Sequence, residues 1–168
     1  MYTTNVIIDD VIDALVVLLT PFLPGGDIVR AQVNRVPTPL RPTIVLTELL
    51  AVDLSVPSQD YQPLANTASV TNSTRLDIQI DFYADNAGDI CKAVQNVMRS
   101  TWGFDQFPST VKPLYTSDGV QSPMVSAEQQ WESRWTLTVS MQYNPIIVVP
   151  QQFAGTLTPV VHVPADLT

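Results

Sequence analysis

The sequence predicts an α+β domain in which an antiparallel sheet of about four strands carries two helices on one face. Three observations lead to this fold. Two segments repeat their apolar residues every three or four positions, as amphipathic helices do. Several others alternate apolar and polar residues, as strands with one buried face do. The order is helix, three strands, helix, loop and strand, and this order favours helices packed on the one apolar face of the sheet.

The first predicted element is a helix near the N-terminus. Thr3 or Thr4 can cap it, and Pro21 and the turn at 24–26 end it. Its apolar positions are Ile8, Val11, Ile12, Leu15 and Leu19. Its acidic residues are Asp9, Asp10 and Asp13. Carboxylates suit the positive end of a helix dipole, so a solvated acidic face is favoured over a metal site, for which no further ligand cluster is visible.

Three strands are predicted after this helix. Residues 28–36 alternate, which predicts a half-buried strand. Residues 43–56 predict a strand whose second side is mixed, so it is either central or interfacial. Residues 70–84 predict a long strand with a polar outer face, and 58–66 is a polar loop.

A second helix is predicted from a cap at Asp85 to about Ser100. Its buried stripe contains Ala87, Ile90, Cys91, Val94, Val97 and Met98. The lone cysteine lies inside this stripe without a histidine or paired base, so we expect a core thiol. The region 102–129 is rich in Pro, Ser, Asp and Gly and has no period, which predicts a long functional or mobile loop.

The last predicted strand, Trp131–Tyr143, has the strictest alternation in the chain. It would be roughly 43 Å long, about twice the usual length, so we expect one end to project and to need a partner. Asn144-Pro145 and Val149-Pro150 are expected to stop the pairing. The chain is therefore predicted to form one domain, 1–150, and an extended C-terminal tail, 151–168.

The composition argues against several classes of protein. Sixteen acidic and eight basic residues give the 168-residue chain a net charge of −8. Such a surface repels the phosphate backbone, so nucleic-acid binding through a basic patch is not expected. The charge would suit a conduit that DNA slides past, although solubility alone is the simpler explanation. A single cysteine, no basic leader and no membrane-length apolar segment predict a soluble, intracellular protein without membrane contact.

The sequence contains few residues that could carry out catalysis. Its one histidine, His162, lies in the proline-flanked tail, where a general base would be held poorly. One cysteine and one histidine cannot supply the usual four ligands of a zinc site. Asp77 and Asp81 would lie about 13 Å apart on one strand face, too far for a glycosidase pair, and are expected to be solvated. We expect no catalytic residue, no metal site and no cofactor.

A distinctive signature lies near the C-terminus. It reads Gln130-Trp131-Glu132, Arg134-Trp135-Thr136-Leu137, Gln142-Tyr143-Asn144-Pro145 and Val149-Pro150-Gln151-Gln152-Phe153-Ala154. This signature resembles that of phage neck terminator proteins, small proteins of tailed-phage morphogenesis clusters. Pro39–Thr47 and Leu76–Met98 are similar to the family's second strand and its strand-helix pair, so the resemblance covers about two thirds of the chain.

The resemblance implies a tail-terminator-like α+β fold and assembly into a homo-oligomeric ring, usually sixfold. The ring would join a connector or adaptor protein on the head side to the tail tube or sheath protein on the tail side, and it would terminate the tail. DNA would pass through its channel without sequence-specific binding. The resemblance also implies a structural virion protein, present in the host cytoplasm during assembly, and no catalytic residue. A monomeric adaptor or tail-assembly factor that docks by strand addition is the alternative, and an enzyme with an unrecognised site is less favoured.

A closed ring needs two different contact surfaces on each subunit. We expect the strand end at 131–135, the loop at 102–129 and the tail after Pro145 to supply them. Trp131 and Trp135 point the same way, and such pairs build a core or an interface more often than they stack on a ligand. If the surplus acids lined the channel, they would let DNA slide. The candidate interface residues are Trp102, Phe107, Trp131, Arg134, Trp135, Tyr143 and Phe153.

Overall fold

The computed structural model of the chain describes residues 3–31, 42–122, 124–125 and 131–152. The helices are α1 (Ile8–Leu19), α2 (Ala87–Met98) and α3 (Thr101–Gln106). The strands are β1 (Thr3–Thr4), β2 (Asp27–Arg30), β3 (Thr43–Asp53), β4 (Ser58–Gln62), β5 (Thr67–Thr71), β6 (Thr74–Tyr83), β7 (Val111–Thr116), β8 (Val120–Gln121), β9 (Met124–Val125), β10 (Trp131–Glu132), β11 (Arg134–Tyr143) and β12 (Ile146–Pro150). They form a six-stranded sheet, a four-stranded sheet and a short β9–β10 pair.

The six-stranded sheet forms the centre of the fold. Its order is β2-β3-β6-β11-β7, and β8 pairs with the other end of β11. The β2–β3 pair is parallel and the other pairs are antiparallel. The register places Leu46, Ile80 and Leu137 side by side, and all three are buried in the core with the apolar sides of α1 and α2. The α+β prediction is confirmed in outline, but four antiparallel strands and two helices were too few.

The region 102–129, predicted as a loop, contains several of the elements that were not predicted. It holds most of α3, together with β7, β8 and β9. β7 was not predicted because it contains Pro113, a residue that usually interrupts strands. The proline is tolerated because β7 is an edge strand, where a missing backbone donor costs little.

Both predicted helices are present, with shifted starts. α1 begins after Ile7, whose backbone N–H donates to the Asp10 carboxylate at 2.7 Å. Thr3 and Thr4 do not cap it, because they form β1 and pair with β12. α2 begins after Asn86 instead of Asp85 and buries the expected stripe, including Cys91. Burial raises the pKa of the Cys91 thiol, which agrees with a core residue.

The four-stranded sheet extends the three middle strands of the larger sheet. β3 continues into β4, β5 leads into β6, and β11 continues into β12, with short breaks at 54–57, 72–73 and 144–145. The order β1-β12-β5-β4 repeats the order of the parent strands. Backbone bonds bridge the breaks, from Leu54 N to Ser73 O at 2.7 Å and from Asn72 N to Pro145 O at 3.4 Å. We call residues 54–73 and 144–152 the arm.

Four predicted segments differ from the structure. The predicted strand 70–84 is divided between β5 and β6, and the predicted loop 58–66 contains β4. The predicted strand 43–56 ends at Asp53, and 28–36 ends as a strand at Arg30, with 32–41 outside the described residues.

The last predicted strand is also divided. Trp131–Glu132 pairs with β9, and β11 begins at Arg134. Pro145 interrupts the pairing only briefly, because it lies in the break and pairing resumes at Ile146, whereas β12 ends at Pro150 as predicted. The tail after Pro145 was therefore placed wrongly: its first part is a paired strand between β5 and β1. No helix in the described part of the chain is long and apolar enough to cross a membrane.

Candidate interaction surfaces

An apolar surface lies where α3 meets the edge strand β7. Trp102 and Phe104 project from α3, and Leu114 and Tyr115 project from β7. All four are exposed, Trp102 by 60% and Tyr115 by 65%. We call these four side chains the aromatic surface. Exposed apolar clusters of this kind mark contact sites in soluble proteins.

A close approach of α3 to α2 turns the aromatic surface outward. The Ser100 side chain caps α3 by accepting from Gly103 N at 3.0 Å. A Cβ on Gly103 would lie 2.0 Å from the Val97 carbonyl oxygen, so only glycine fits there. With Gly103 against α2, Trp102 and Phe104 occupy other sides of the short helix and face away from the core.

A groove of about 510 Å³ runs between α3 and β7. Arg99 forms part of its wall and donates to the Thr116 carbonyl at 2.7 and 3.2 Å and to Asp118 at 3.0 Å. The hydrogen bond from Arg99, followed by one from Gln95, lowers the pKa of Asp118. Lys112 donates to the carbonyls of Phe104 and Phe107, at 3.1 and 2.8 Å, and lies 4.4 Å above the Phe104 ring. Arg99 and Lys112 therefore link the helices and the strand that form the walls of the groove.

The arm is the second exposed surface. Residues 54–73 and 144–152 contain a single charged residue, Asp60. Every residue of β4 is exposed, and β4 is the outer strand of its sheet. Leu64, in the turn after β4, is fully exposed. No other strand of the described residues pairs with the outer edge of β4, and an exposed edge strand without lysine or a bulge is a template for pairing with another chain.

The face of the larger sheet opposite α1 and α2 carries a polar network. Asp81 is 3% exposed and accepts from Arg134 at 2.9 and 3.2 Å, from Thr136 at 2.7 Å and from Gln79 at 2.8 Å. The bond to Asp81 raises the pKa of Arg134. These partners compensate the buried carboxylate.

Asp77, on the same face, accepts from Ser140 at 2.6 Å and is paired with Arg75. Asp77 and Asp81 were expected to be solvated, and that prediction is wrong. Both carboxylates link neighbouring strands of the sheet.

Trp135 packs within its own subunit. A Cβ on Gly88, in the first turn of α2, would lie 3.0 Å from the Trp135 indole, and one on Gly119 would lie 3.8 Å from it. Trp135 is half-buried against the hydrophobic core. Its main contacts are therefore intramolecular, although one side remains accessible.

The other candidate interface residues lie in different settings. Phe107 and Tyr143 are 4% and 8% exposed and belong to the core. Trp131 is paired through its backbone with Val125, while its side chain and all of Phe153 lie outside what the structure describes. Of the candidates, only Trp102 lies in the aromatic surface.

Sequence reasoning missed most of the exposed apolar residues. Phe104, Leu114, Tyr115 and Leu64 were not selected, because none follows a helix or strand period that would mark it as outward-facing. One signal was available: two long charge-free stretches in an acidic chain, 61–74 and 135–165, include most of the arm.

The acids of α1 have specific partners besides solvent. Asp9 accepts from Arg30 at 2.6 Å, and Arg30 also pairs with Glu48. The hydrogen bond to Asp9 raises the pKa of Arg30. Asp10 accepts from the Ile7 N–H. Among the residues that the structure describes, no group of three or more His, Cys, Asp or Glu side chains could hold a metal ion.

This fold, with an exposed apolar surface and an exposed strand edge, is typical of proteins that work through contacts with other proteins. A family model for the phage neck terminator protein matches residues 8–166. The chain therefore belongs to the phage neck terminator family, and it is a structural protein of the virion. The resemblance of the 130–154 signature is thereby confirmed. A search among individually curated proteins gives no match.

Proposed function

We propose that the chain closes into a ring, of six copies, at the neck of a tailed phage. The ring joins the head-tail connector to the tail, terminates the tail tube or sheath, and leaves a channel for DNA. The observation that carries this proposal is the presence of two unlike exposed surfaces, the arm and the aromatic surface, on a neck terminator protein. A ring with rotational symmetry uses a different surface of each subunit on either side of the contact.

The charge distribution supports a channel that does not hold DNA. The exposed acids include Asp9, Asp10 and Asp13 on α1 and Asp85 and Asp89 near the start of α2. These lie on the helical side of the larger sheet, away from the polar network around Asp81. If the helical side lines the channel, DNA phosphates meet repulsion and no grip.

Light scattering during size exclusion tests the ring. With a subunit of 18.5 kDa, six copies have a mass of 6 × 18.5, or 111 kDa. A peak near that mass that persists on dilution supports the ring. A chain that remains monomeric both in solution and in isolated necks contradicts it.

A monomeric adaptor that docks by strand addition is the second candidate. It is favoured by one specific observation: β4 is an outer strand with all five residues exposed. Adding a strand to such an edge supplies main-chain hydrogen bonds. Hydrogen exchange distinguishes the candidates, because strand addition slows exchange in β4 only when tail proteins are present, whereas a ring contact slows it in the isolated oligomer.

A further inference from the structure

We propose that the arm of one copy docks on the aromatic surface of the next copy, with Leu64 directed at the groove between α3 and β7. This contact would join neighbouring subunits of the ring, and it rests on the ring proposed above.

The arm shares one property with interface cores, which is that it has few charged residues. The centres of protein interfaces are depleted of charged residues, and the arm has only Asp60. Its strands are short, and β4 is exposed along its whole length. Small sheets of this kind need packing against another layer to be stable. A surface on a neighbouring subunit would provide that layer.

The tip of the arm is a rigid turn that presents one apolar side chain. Residues Pro63–Ala65 form a single 3-10 turn, and Asn66 follows in the left-handed region with φ of 51°. Asn66 N donates to the Pro63 carbonyl at 3.2 Å, and Gln151 N donates to the Asn66 carbonyl at 2.9 Å. A preorganised turn loses little entropy on binding, so Leu64 is suited to be an anchor.

The groove beside the aromatic surface is suited to receive such an anchor. Met98, Phe104 and Pro113 give it apolar walls, and Arg99 braces it through the Thr116 carbonyl. An apolar side chain that enters a preformed groove contributes most when the surrounding contacts exclude water. Trp102 and Tyr115, near the groove, supply large side chains that can do so.

The local charge explains why a second acidic copy can approach here. Residues 89–120 contain three basic and three acidic residues, so the whole net charge of −8 lies elsewhere in the chain. The basic residues are Lys92, Arg99 and Lys112, and two of them lie at or beside the groove. Asp60 of an arriving arm would therefore meet a region of zero net charge, and not the acidic surplus that the rest of the chain carries.

Pairing of two arms with each other is disfavoured by the same acid. Asp60 is the central residue of β4. In a twofold antiparallel pair of β4 strands that matches all five residues, Asp60 would face Asp60 of the other copy, and like charges directly opposite destabilise a sheet. The arm is therefore expected to reach a different surface on its neighbour, which is the condition for a closed ring.

Disulfide trapping tests the contact. Chains carrying Leu64→Cys and chains carrying Tyr115→Cys are mixed and assembled together. The assembled rings or isolated necks are then treated with a mild oxidant. Cys91 is buried and does not interfere. We expect a cross-linked dimer from this mixture. Val17→Cys, at another exposed apolar position, on α1, mixed with Tyr115→Cys, is the matched control and should give none.

A substitution at the tip gives an independent readout. Leu64→Asp should raise the concentration of half-assembly by about 30-fold, since loss of a central anchor costs a factor of that order. Val17→Asp makes the same change at the control position and should leave assembly within about 3-fold of the unaltered chain. The monomer of each variant should keep the native circular dichroism spectrum.

The outcomes separate the contact from the ring. Rings that form without the Leu64–Tyr115 link, and that tolerate Leu64→Asp, would overturn the contact and leave the ring standing. A chain that is monomeric in solution and in necks would overturn both. Rings with the link and with the loss of assembly support both.

Discussion

At the scale of single residues, Trp135 and Trp102 lie in different environments. Its indole is packed over Gly88 and near Gly119, both in the same subunit. Trp102, in contrast, is mostly exposed. The two tryptophans therefore have different expected roles, which paired substitutions can separate.

Trp135→Ala should lower the free energy of unfolding of the subunit by about 3 kcal/mol, near the lower limit for a packed tryptophan because one side is accessible. Chemical denaturation of the monomer measures the change. Trp102→Ala is the matched control, and it should change stability by less than about 0.5 kcal/mol while weakening assembly. Equal losses of stability in the two variants would show that the distinction between them is wrong.

Gly103 carries a second prediction at this scale. Gly103→Ala places a Cβ 2.0 Å from the Val97 carbonyl oxygen, so α3 must move away from α2. We expect a loss of stability of about 2 kcal/mol, despite the better helix propensity of alanine. Gln106→Ala, on the same helix and exposed, is the control. Unchanged or higher thermal stability of Gly103→Ala would contradict the close approach.

At the scale of elements, the arm depends on one strand, β12. β12 holds it together, because it pairs with β5 on one side and with β1 on the other. Truncation after Asn144 should therefore remove hydrogen-exchange protection from β5 and leave the amides of β6 and α2 protected. Truncation after Gln152 is the control and should preserve both. Persistent protection of β5 without β12 would show that another element supports the arm.

The helices were easier to predict than the strands, for a physical reason. The apolar stripes of α1 and α2 repeat over three turns, so a single pattern fixes both the type and the buried face. The break between β5 and β6 leaves the alternation recognisable on both sides, so the sequence predicts one strand where two exist. Pro113 and the bulge between Ser140 and Met141 similarly disguise the β7–β11 pair. Edges and breaks depend on pairing between distant segments, which a local pattern does not contain.

The exposure of the candidate interface residues was harder to predict from the sequence than the fold. Phe107 and Tyr143 were selected as large aromatic residues, but they are buried in the core. The exposure of Leu64 and Tyr115 could not be predicted from the sequence, because it depends on the turn at 63–66 and on the edge position of β7. The charge-free stretches point to the arm, which the proposed contact uses, because desolvating a charge at an interface core is costly.

At the scale of the whole molecule, the charged residues are unevenly distributed over the surface. Paired charges occupy the polar face around Asp81, acids occupy the helical side, and the arm is almost uncharged. This distribution supports the proposal that the subunit contacts its neighbours through uncharged surfaces, with its acidic residues outside those contacts.

The acidic side gives a prediction for DNA. The assembled protein should not retard double-stranded DNA in a gel at low salt, where electrostatic binding is strongest. A basic DNA-binding protein of similar mass is the positive control. Retardation that disappears as salt is raised would contradict a channel that lets DNA slide freely.

The central claim is that this chain closes a ring around a channel. Negative-stain electron microscopy of the purified oligomer, with class averages made without imposed symmetry, tests it most directly. We predict end-on views with six equal subunits around an open centre. Open chains, filled discs or single 18.5 kDa particles at micromolar concentration, with no ring in isolated necks, would contradict the claim.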